Sequence, residues 1–177
     1  MNSIFERTSD RVYTDQPITP EQRELILKAA FSYPSCRNAQ PLNLIVVTDK
    51  DQLEKLSHVS PYARAIANSQ MGVVLCADMD KNPALAYDIQ DLAAATENML
   101  VEAQDLGLSS CWIGGYPSEG REEFLADVLK TPAHIRPLWT VAFGYPEHKA
   151  AVKDKWDPEK IFYNEYGNHD ESAKKLS

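Results

Sequence analysis

Segments with helical periodicity alternate with short apolar runs along this chain, a pattern that predicts one mixed helix-and-sheet domain layered around a single sheet. Three observations carry the prediction. The chain has 177 residues, 44% of them hydrophobic, enough for one domain with a substantial core. Apolar, β-branched or aromatic runs at 42–48, 71–77 and 138–144 have the length of strands. Between them, apolar residues recur at helical spacing. Taken alone, such alternation suggests parallel βαβ units.

Composition narrows the class of partner. A formal charge of -8 argues against a nucleic acid or an anionic membrane as the main target, because both require clustered Lys and Arg. Cysteines stand at 36, 76 and 111, with no C-x-x-C pair and no His at metal-ligand spacing, so neither a disulfide framework nor a zinc site is indicated. No signal-peptide core occupies the first fifteen positions, and no stretch approaches the length of a membrane span. A reducing cytoplasm is the expected compartment.

In chain order, residues 2–8 read as a short capped helix. Arg7-Thr8-Ser9-Asp10-Arg11-Val12-Tyr13 then reads as extended chain leading to Pro17. In an extended segment Arg7, Ser9 and Arg11 project to one side and Thr8, Asp10 and Val12 to the other. Two guanidinium groups and a hydroxyl on one face make either a phosphate clamp or an ordinary solvated surface. Thr19-Pro20-Glu21-Gln22 announces a helix start with a capping box, and Leu25, Ile26, Ala29, Ala30 and Tyr33 follow as its expected core face.

The segment Pro34-Ser35-Cys36-Arg37-Asn38-Ala39-Gln40-Pro41 joins that helix to the first strand. A proline at each end disfavours helix, while Ser35, Asn38 and Gln40 bring donors and acceptors into surroundings that apolar neighbours tend to bury. Such groups need partners: nearby backbone in a plain connection, or a flat heteroaromatic ligand with carbonyls and ring nitrogens. The following run, 42–48, reads as a strand buried on both faces.

A short helix around 52–58, a poorly patterned connection and the run at 71–77 complete the first half, with His58 expected at the surface. The strongest helix spans 84–106 and stops at Gly107, suited to a left-handed cap. Ile89, Leu92, Ala93, Thr96, Met99, Leu100, Ala103 and Leu106 form its stripe, and Ala94 and Val101 lie off it, which suggests burial in a larger assembly. Ser109-Ser110-Cys111-Trp112-Ile113-Gly114-Gly115 reads as a short strand ended by a glycine pair, which serves either a tight turn or close approach of backbone to a ligand. A helix over 118–129 and the strand at 138–144 follow, with His134 in a loop. The tail carries Trp156, Ile161, Phe162, Tyr163 and Tyr166, too many aromatics for a floating end.

No G-x-G-x-x-G after a strand, no P-loop and no G-x-S-x-G elbow is present, and no cysteine has a visible His partner. The chain therefore offers no protein-borne nucleophile, acid or base, and no metal site. Chemistry, if present, belongs to a cofactor.

The ordered set of Arg7 to Tyr13, the Pro34 to Pro41 loop, Gly107-Leu108-Ser109-Ser110-Cys111-Trp112-Ile113-Gly114 after a long helix, and Gly144-Tyr145-Pro146 ahead of Asp157-Pro158 resembles the nitroreductase family of flavin mononucleotide (FMN) oxidoreductases in a compact form. The resemblance implies an α+β fold with a mixed, largely antiparallel sheet flanked by helices, in place of parallel βαβ units. It implies a homodimer with exchanged C-terminal arms, a single FMN-binding domain over 1–168 and a disordered tail at 169–177. By position, Arg7, Thr8, Ser9 and Arg11 would bind the cofactor's phosphate and ribityl chain, with Lys155 as a further phosphate contact. Pro34, Ser35, Cys36 and Asn38 would reach the ring from the other subunit, Gln40 would lie close by, and Gly114 and Gly115 would bring N–H groups to the flavin edge. Thr8, Cys36 and Lys155 depart from the family's usual Arg, Ser or Gly, and Arg.

The activity so implied takes hydride from NAD(P)H, as a dissociable reductant, and reduces nitroaromatic, quinone or similar small acceptors by a ping-pong mechanism. Substrate choice would lie in the segments around 58–70 and 116–121. A non-catalytic flavin or small-ligand binding module on the same fold is the alternative.

Overall fold

Strand β2, Met71–Asp78, is buried along nearly its whole length, and its two alternating side-chain sets enter two different cores. Met71, Val73, Leu75 and Ala77 join one cluster, while Val74 and Cys76 join the other. Strictly alternating side chains put helices on both faces of the sheet. The computed structural model describes residues 3–82 and 84–169.

The sheet has four strands in the order β1-β2-β4-β3. β1 is Leu42–Val47, β3 is Ser109–Gly114 and β4 is Ile135–Gly144. Every neighbouring pair is antiparallel, with Leu44 opposite Leu75, Val73 opposite Val141 and Trp112 opposite Val141. The parallel arrangement suggested by simple alternation is therefore wrong, and the family-based α+β expectation holds. A single parallel bridge, Ser9 to Ser110, adds the N-terminal segment to the edge of β3.

β1 also corrects an expectation. It lies at the sheet edge: Leu42 and Leu44 pack into one core and Ile45 and Val47 into the other, but Asn43 and Val46 are exposed, so a run that reads as buried on both faces is only partly covered on each. β4 starts earlier than the apolar run, at Ile135, and a bulge at Leu138 of β4, opposite the Leu75–Cys76 step of β2, lets Pro137 sit opposite Cys76.

The helices are α1 (Ser3–Glu6), α2 (Pro20–Phe31), α3 (Lys50–Ser57), α4 (Arg64–Ala67), α5 (Leu85–Asp105) and α6 (Arg121–Leu129). α2 and α5 cover one face of the sheet; α3, α4 and α6 cover the other. α2 begins with the predicted capping box: Thr19 Oγ1 accepts from the Gln22 N–H at 3.2 Å, and Gln22 Oε1 accepts from the Thr19 N–H at 3.1 Å. Its buried face is Ile26 and Ala30, one turn apart. Leu25, expected among them, is 43% exposed because it sits about 100° round the helix from Ile26. The connection after α3 contains the short α4, which polar and alanine-rich composition conceals. His58 is exposed beside Glu54 and His134 is exposed in a loop, as expected.

α5 is the central helix. Leu92, Thr96, Met99, Leu100 and Ala103 are buried on the predicted stripe. Thr96, the polar member, takes the Trp139 indole N–H at 2.9 Å and donates to the Leu92 carbonyl at 2.8 Å, which ties the helix to β4 without an unpaired polar group. At its end Gly107 has φ +76°, Leu108 N–H reaches the Ala103 carbonyl at 2.8 Å and Gly107 N–H reaches Gln104 at 3.1 Å. This is a Schellman cap, where a residue with a side chain would be strained. It turns the chain straight into β3 and so fixes the position of Gly114.

No helix among the described residues is long and apolar enough to cross a membrane. The expected tail at 169–177 lies, apart from His169, outside the described residues.

Candidate functional site

The segment 7–13 runs beside β3 because Asp10 holds it there. Asp10 is buried and accepts from Thr8 Oγ1 at 3.1 Å, from the Ser109 hydroxyl and from the Ala150 N–H at 2.8 Å. Three donors on one buried carboxylate join the N-terminal segment, β3 and the start of the C-terminal arm. The predicted alternation follows: Thr8 and Asp10 face inward, Ser9 and Arg11 outward. Arg7 is half-buried, its Nε 3.3 Å from Glu97 on α5. Thr8 is thus separated from the other expected contacts, since its hydroxyl serves Asp10. Val12, expected on the inward side, is exposed.

Tyr13 closes the segment from beneath, donating its hydroxyl to the Asp10 carbonyl at 2.6 Å. Burial pushes its phenol well above the ordinary range, aided by the neighbouring Cys111 and Asp10, so it stays neutral. Burial likewise raises the Cys111 thiol, against the opposing charge of Arg11.

Arg11, Trp112 and Gly114 open onto one cavity of about 130 Å³, which Ser60, Tyr62 and Arg121 also line. A side chain at Gly115 would overlap the Leu138 carbonyl oxygen, so packing within the chain requires that glycine. Gly114 is different. Among the described residues, nothing lies within 4 Å of where its Cβ would stand. The open space over an exposed edge of backbone is what a flat ligand approaching closely would need.

A larger surface groove, about 680 Å³, runs along α2 past Pro20, Leu27 and Phe31. It contains none of the expected cofactor contacts, and chemistry therefore points to the smaller cavity.

The 34–41 loop is held by the central helix. The Cys36 N–H lies 3.1 and 3.0 Å from the two carboxylate oxygens of Asp91, Ser35 Oγ accepts from the Gln40 N–H at 3.2 Å, and Tyr33 Oη accepts from Leu42 at 3.3 Å. Within a single 3₁₀ turn and its flank, Arg37, Asn38 and Gln40 have φ of 54°, 55° and 52°. Three non-glycine residues in the left-handed region within four positions store strain that an ordinary connection has no need of. Gln40 Nε2 donates to Asn38 Oδ1 at 2.8 Å, and both side chains are exposed, as is Pro34; Ser35 and Cys36 are half-buried.

Among the described residues, no hydrogen bond or ion pair connects this loop to Arg7, Ser9 or Arg11. Lys155 is likewise exposed and apart from them: no hydrogen bond or ion pair among the described residues joins 151–169 to the body of the chain. One chain therefore assembles Arg11 with Gly114, places Ser9 beside β3, and leaves the loop and Lys155 facing elsewhere.

The donor set suits a phosphorylated flat cofactor such as FMN. The outward guanidinium of Arg11 and hydroxyl of Ser9, with the half-buried Arg7 ahead of them, precede an edge strand that ends in a glycine with open space above it. Sequence reasoning missed Asp10, Asp91 and Arg121. Asp10 was detectable as an acid on the side of the segment opposite Ser9 and Arg11; Asp91 lies off the α5 stripe and carried no such signal.

A sequence model of the nitroreductase family matches residues 4–61 and 61–145. A protein of Archaeoglobus fulgidus, provisionally named as an NADH dehydrogenase/NAD(P)H nitroreductase, is 39% identical over 168 residues, covering 91% of this chain and 95% of the relative. An FMN reductase [NAD(P)H] of Bacillus subtilis is 28% identical, covering 97% and 76%. Among solved structures, an FMN-dependent nitroreductase of Clostridium difficile superposes with a TM-score of 0.86 at 26% identity, covering 93% of this chain and 99% of its own.

Proposed function

The chain belongs to the nitroreductase family, and from that premise we propose that it is an NAD(P)H-dependent FMN oxidoreductase acting as a homodimer on nitroaromatic, quinone or similar small acceptors. The observation that carries the reading is the shared cavity of Arg11 and Gly114, with open space where the glycine lacks a side chain. The names of the similar FMN reductase and FMN-dependent nitroreductase support the same cofactor.

FMN, when bound, supplies the two-electron chemistry between the reduced nicotinamide and the acceptor. The chain's own residues bind, orient and polarise. Arg7, Ser9 and Arg11 hold the phosphate and ribityl chain, with Lys155 as a further cation. The backbone of Gly114 and Gly115 presents donors at the ring edge, where fixed dipoles and the Arg11 charge favour the electron-rich reduced form. Thr8 acts through Asp10 to keep the arginine segment in register.

Pro34, Ser35, Cys36, Asn38 and Gln40 form the wall that the partner subunit contributes. This accounts for their separation from Arg11 within one chain. Ile4, Phe5, Phe31 and Trp156 are exposed at 65%, 73%, 60% and 55%, and a subunit interface is the natural cover for them. The arm after Ala150 crosses to the partner. The single domain spans 1–168, and three free cysteines fit a reducing cytoplasm.

Titration of the protein with FMN, followed by flavin fluorescence, tests the reading at its base: one saturable site per chain is expected, and no quenching contradicts it. Because one cavity receives reductant and acceptor in turn, initial-rate plots should give parallel lines. Intersecting lines would overturn the ping-pong assignment.

A further inference from the structure

The two segments expected to govern substrate choice meet in the same cavity. Ser60 and Tyr62 come from the connection after α3, and Arg121 is the first residue of α6. Arg121 Nη1 donates to the Gly114 carbonyl at 2.9 Å, which fixes the guanidinium beside the residue with open space above it. Its charge has no internal use. Among the described residues neither Arg121 nor Arg11 has a carboxylate within ion-pair distance, although the chain carries a net charge of -8 and the adjacent Glu122 is committed to Arg136 at 2.5 Å. An aromatic surface stands next to it: Tyr62 is 81% and Trp112 38% exposed.

We propose that Arg121 is a specificity-determining residue that selects flat aromatic acceptors bearing a carboxylate or similar anionic group. This rests on the oxidoreductase reading and adds to it the chemical class of acceptor. If Arg11 serves the cofactor, Arg121 remains as the cation available to the molecule that occupies the cavity afterwards. A planar guanidinium with one N–H spent on Gly114 still offers further donors in the fork geometry that fits a carboxylate. Tyr62 and Trp112 supply faces for the ring.

The test uses the FMN-loaded protein and two probes of one shape, benzoate and benzamide, with binding read from perturbation of the flavin absorbance. Wild type should bind benzoate more tightly than benzamide. Arg121→Gln, which keeps an amide donor for Gly114 but no charge, should lower that preference roughly tenfold, and Arg121→Lys should retain most of it. The ratio of kcat/KM for 4-nitrobenzoate against 4-nitrobenzamide should fall in parallel. Equal loss for both probes in Arg121→Gln, or no preference in wild type, overturns the proposal. Failure of wild type to take up FMN overturns the functional reading itself, and is seen before any variant is compared.

Discussion

The backbone N–H of Cys36 points at the carboxylate of Asp91, 3.1 and 3.0 Å from its two oxygens, across 55 positions of the chain. Asp91 is 7% exposed and sits on the long central helix, so the strained 34–41 loop is fastened to the element that packs against the core of the sheet. Asp91→Ala removes the acceptor and leaves a partly buried N–H unpaired. The expected cost is about 1 to 3 kcal/mol of unfolding free energy, with weaker FMN affinity, while Asp91→Asn keeps one acceptor and recovers part of both. Urea unfolding and flavin titration of the two variants check this.

Gly114 and Gly115 separate packing from binding. Gly115→Ala forces a methyl group into the Leu138 carbonyl and should destabilise the protein by about 1 to 3 kcal/mol. Gly114→Ala meets nothing among the described residues, so its melting temperature should stay close to wild type while FMN affinity falls. Equal stability losses in both, with flavin binding intact in Gly114→Ala, would remove Gly114 from the site.

Arg11 and Glu97 should act in opposite directions. Arg11→Ala deletes an outward cation that has no carboxylate partner among the described residues and should weaken FMN binding about tenfold or more, most at low salt. Glu97→Gln releases Arg7 from its 3.3 Å ion pair, a partly solvated pair worth little to stability, and should tighten binding modestly. Dissociation constants at two salt concentrations decide the signs.

Asp88 gives a pH signature. It is wholly buried, its Oδ1 accepting from the Asn82 amide at 2.7 Å while Oδ2 has no hydrogen-bond partner among the described residues. Burial pushes its carboxyl above the ordinary range, against the opposing Asn82 hydrogen bond, and the charges of Asp91 and Asp78 add to the rise. A folded-state pKa above the unfolded one gives stability that is complete below about pH 4 and is lost as pH climbs through the raised value. The stability of Asp88→Asn relative to wild type should therefore improve from pH 4 towards neutrality. A difference that stays flat across that range contradicts the assignment.

The legible parts of this fold are those set by local chemistry. The Thr19 capping box, the α5 stripe and the Gly107 cap are each fixed by residues within a turn or two, and all stand where periodicity and turn chemistry put them. Sheet direction is not local. Alternating helices and strands fit parallel and antiparallel sheets equally well, and only the ordered motifs of the family pointed to the observed one. β1 misled for a related reason: an apolar run cannot report whether its neighbour on one side is another strand or solvent. At the candidate site, the outward placing of Ser9 and Arg11 was readable, but the pairing of Arg7 with Glu97 and of Asp10 with Ser109 joins residues 90 or more positions apart. Asp88, one turn before Leu92 on the buried stripe of α5, was the readable sign that the helix carries polar work as well as core, whereas Asp91 lies off that stripe and is buried through the 34–41 loop.

The central claim is tested most directly by an anaerobic spectrum of the FMN-loaded protein before and after addition of NADPH or NADH. The account predicts that the bound-flavin absorbance bleaches, and that it returns when a nitroaromatic or quinone is added. Bound flavin that resists both nucleotides would contradict the NAD(P)H oxidoreductase reading and favour a flavin-binding module on the same fold.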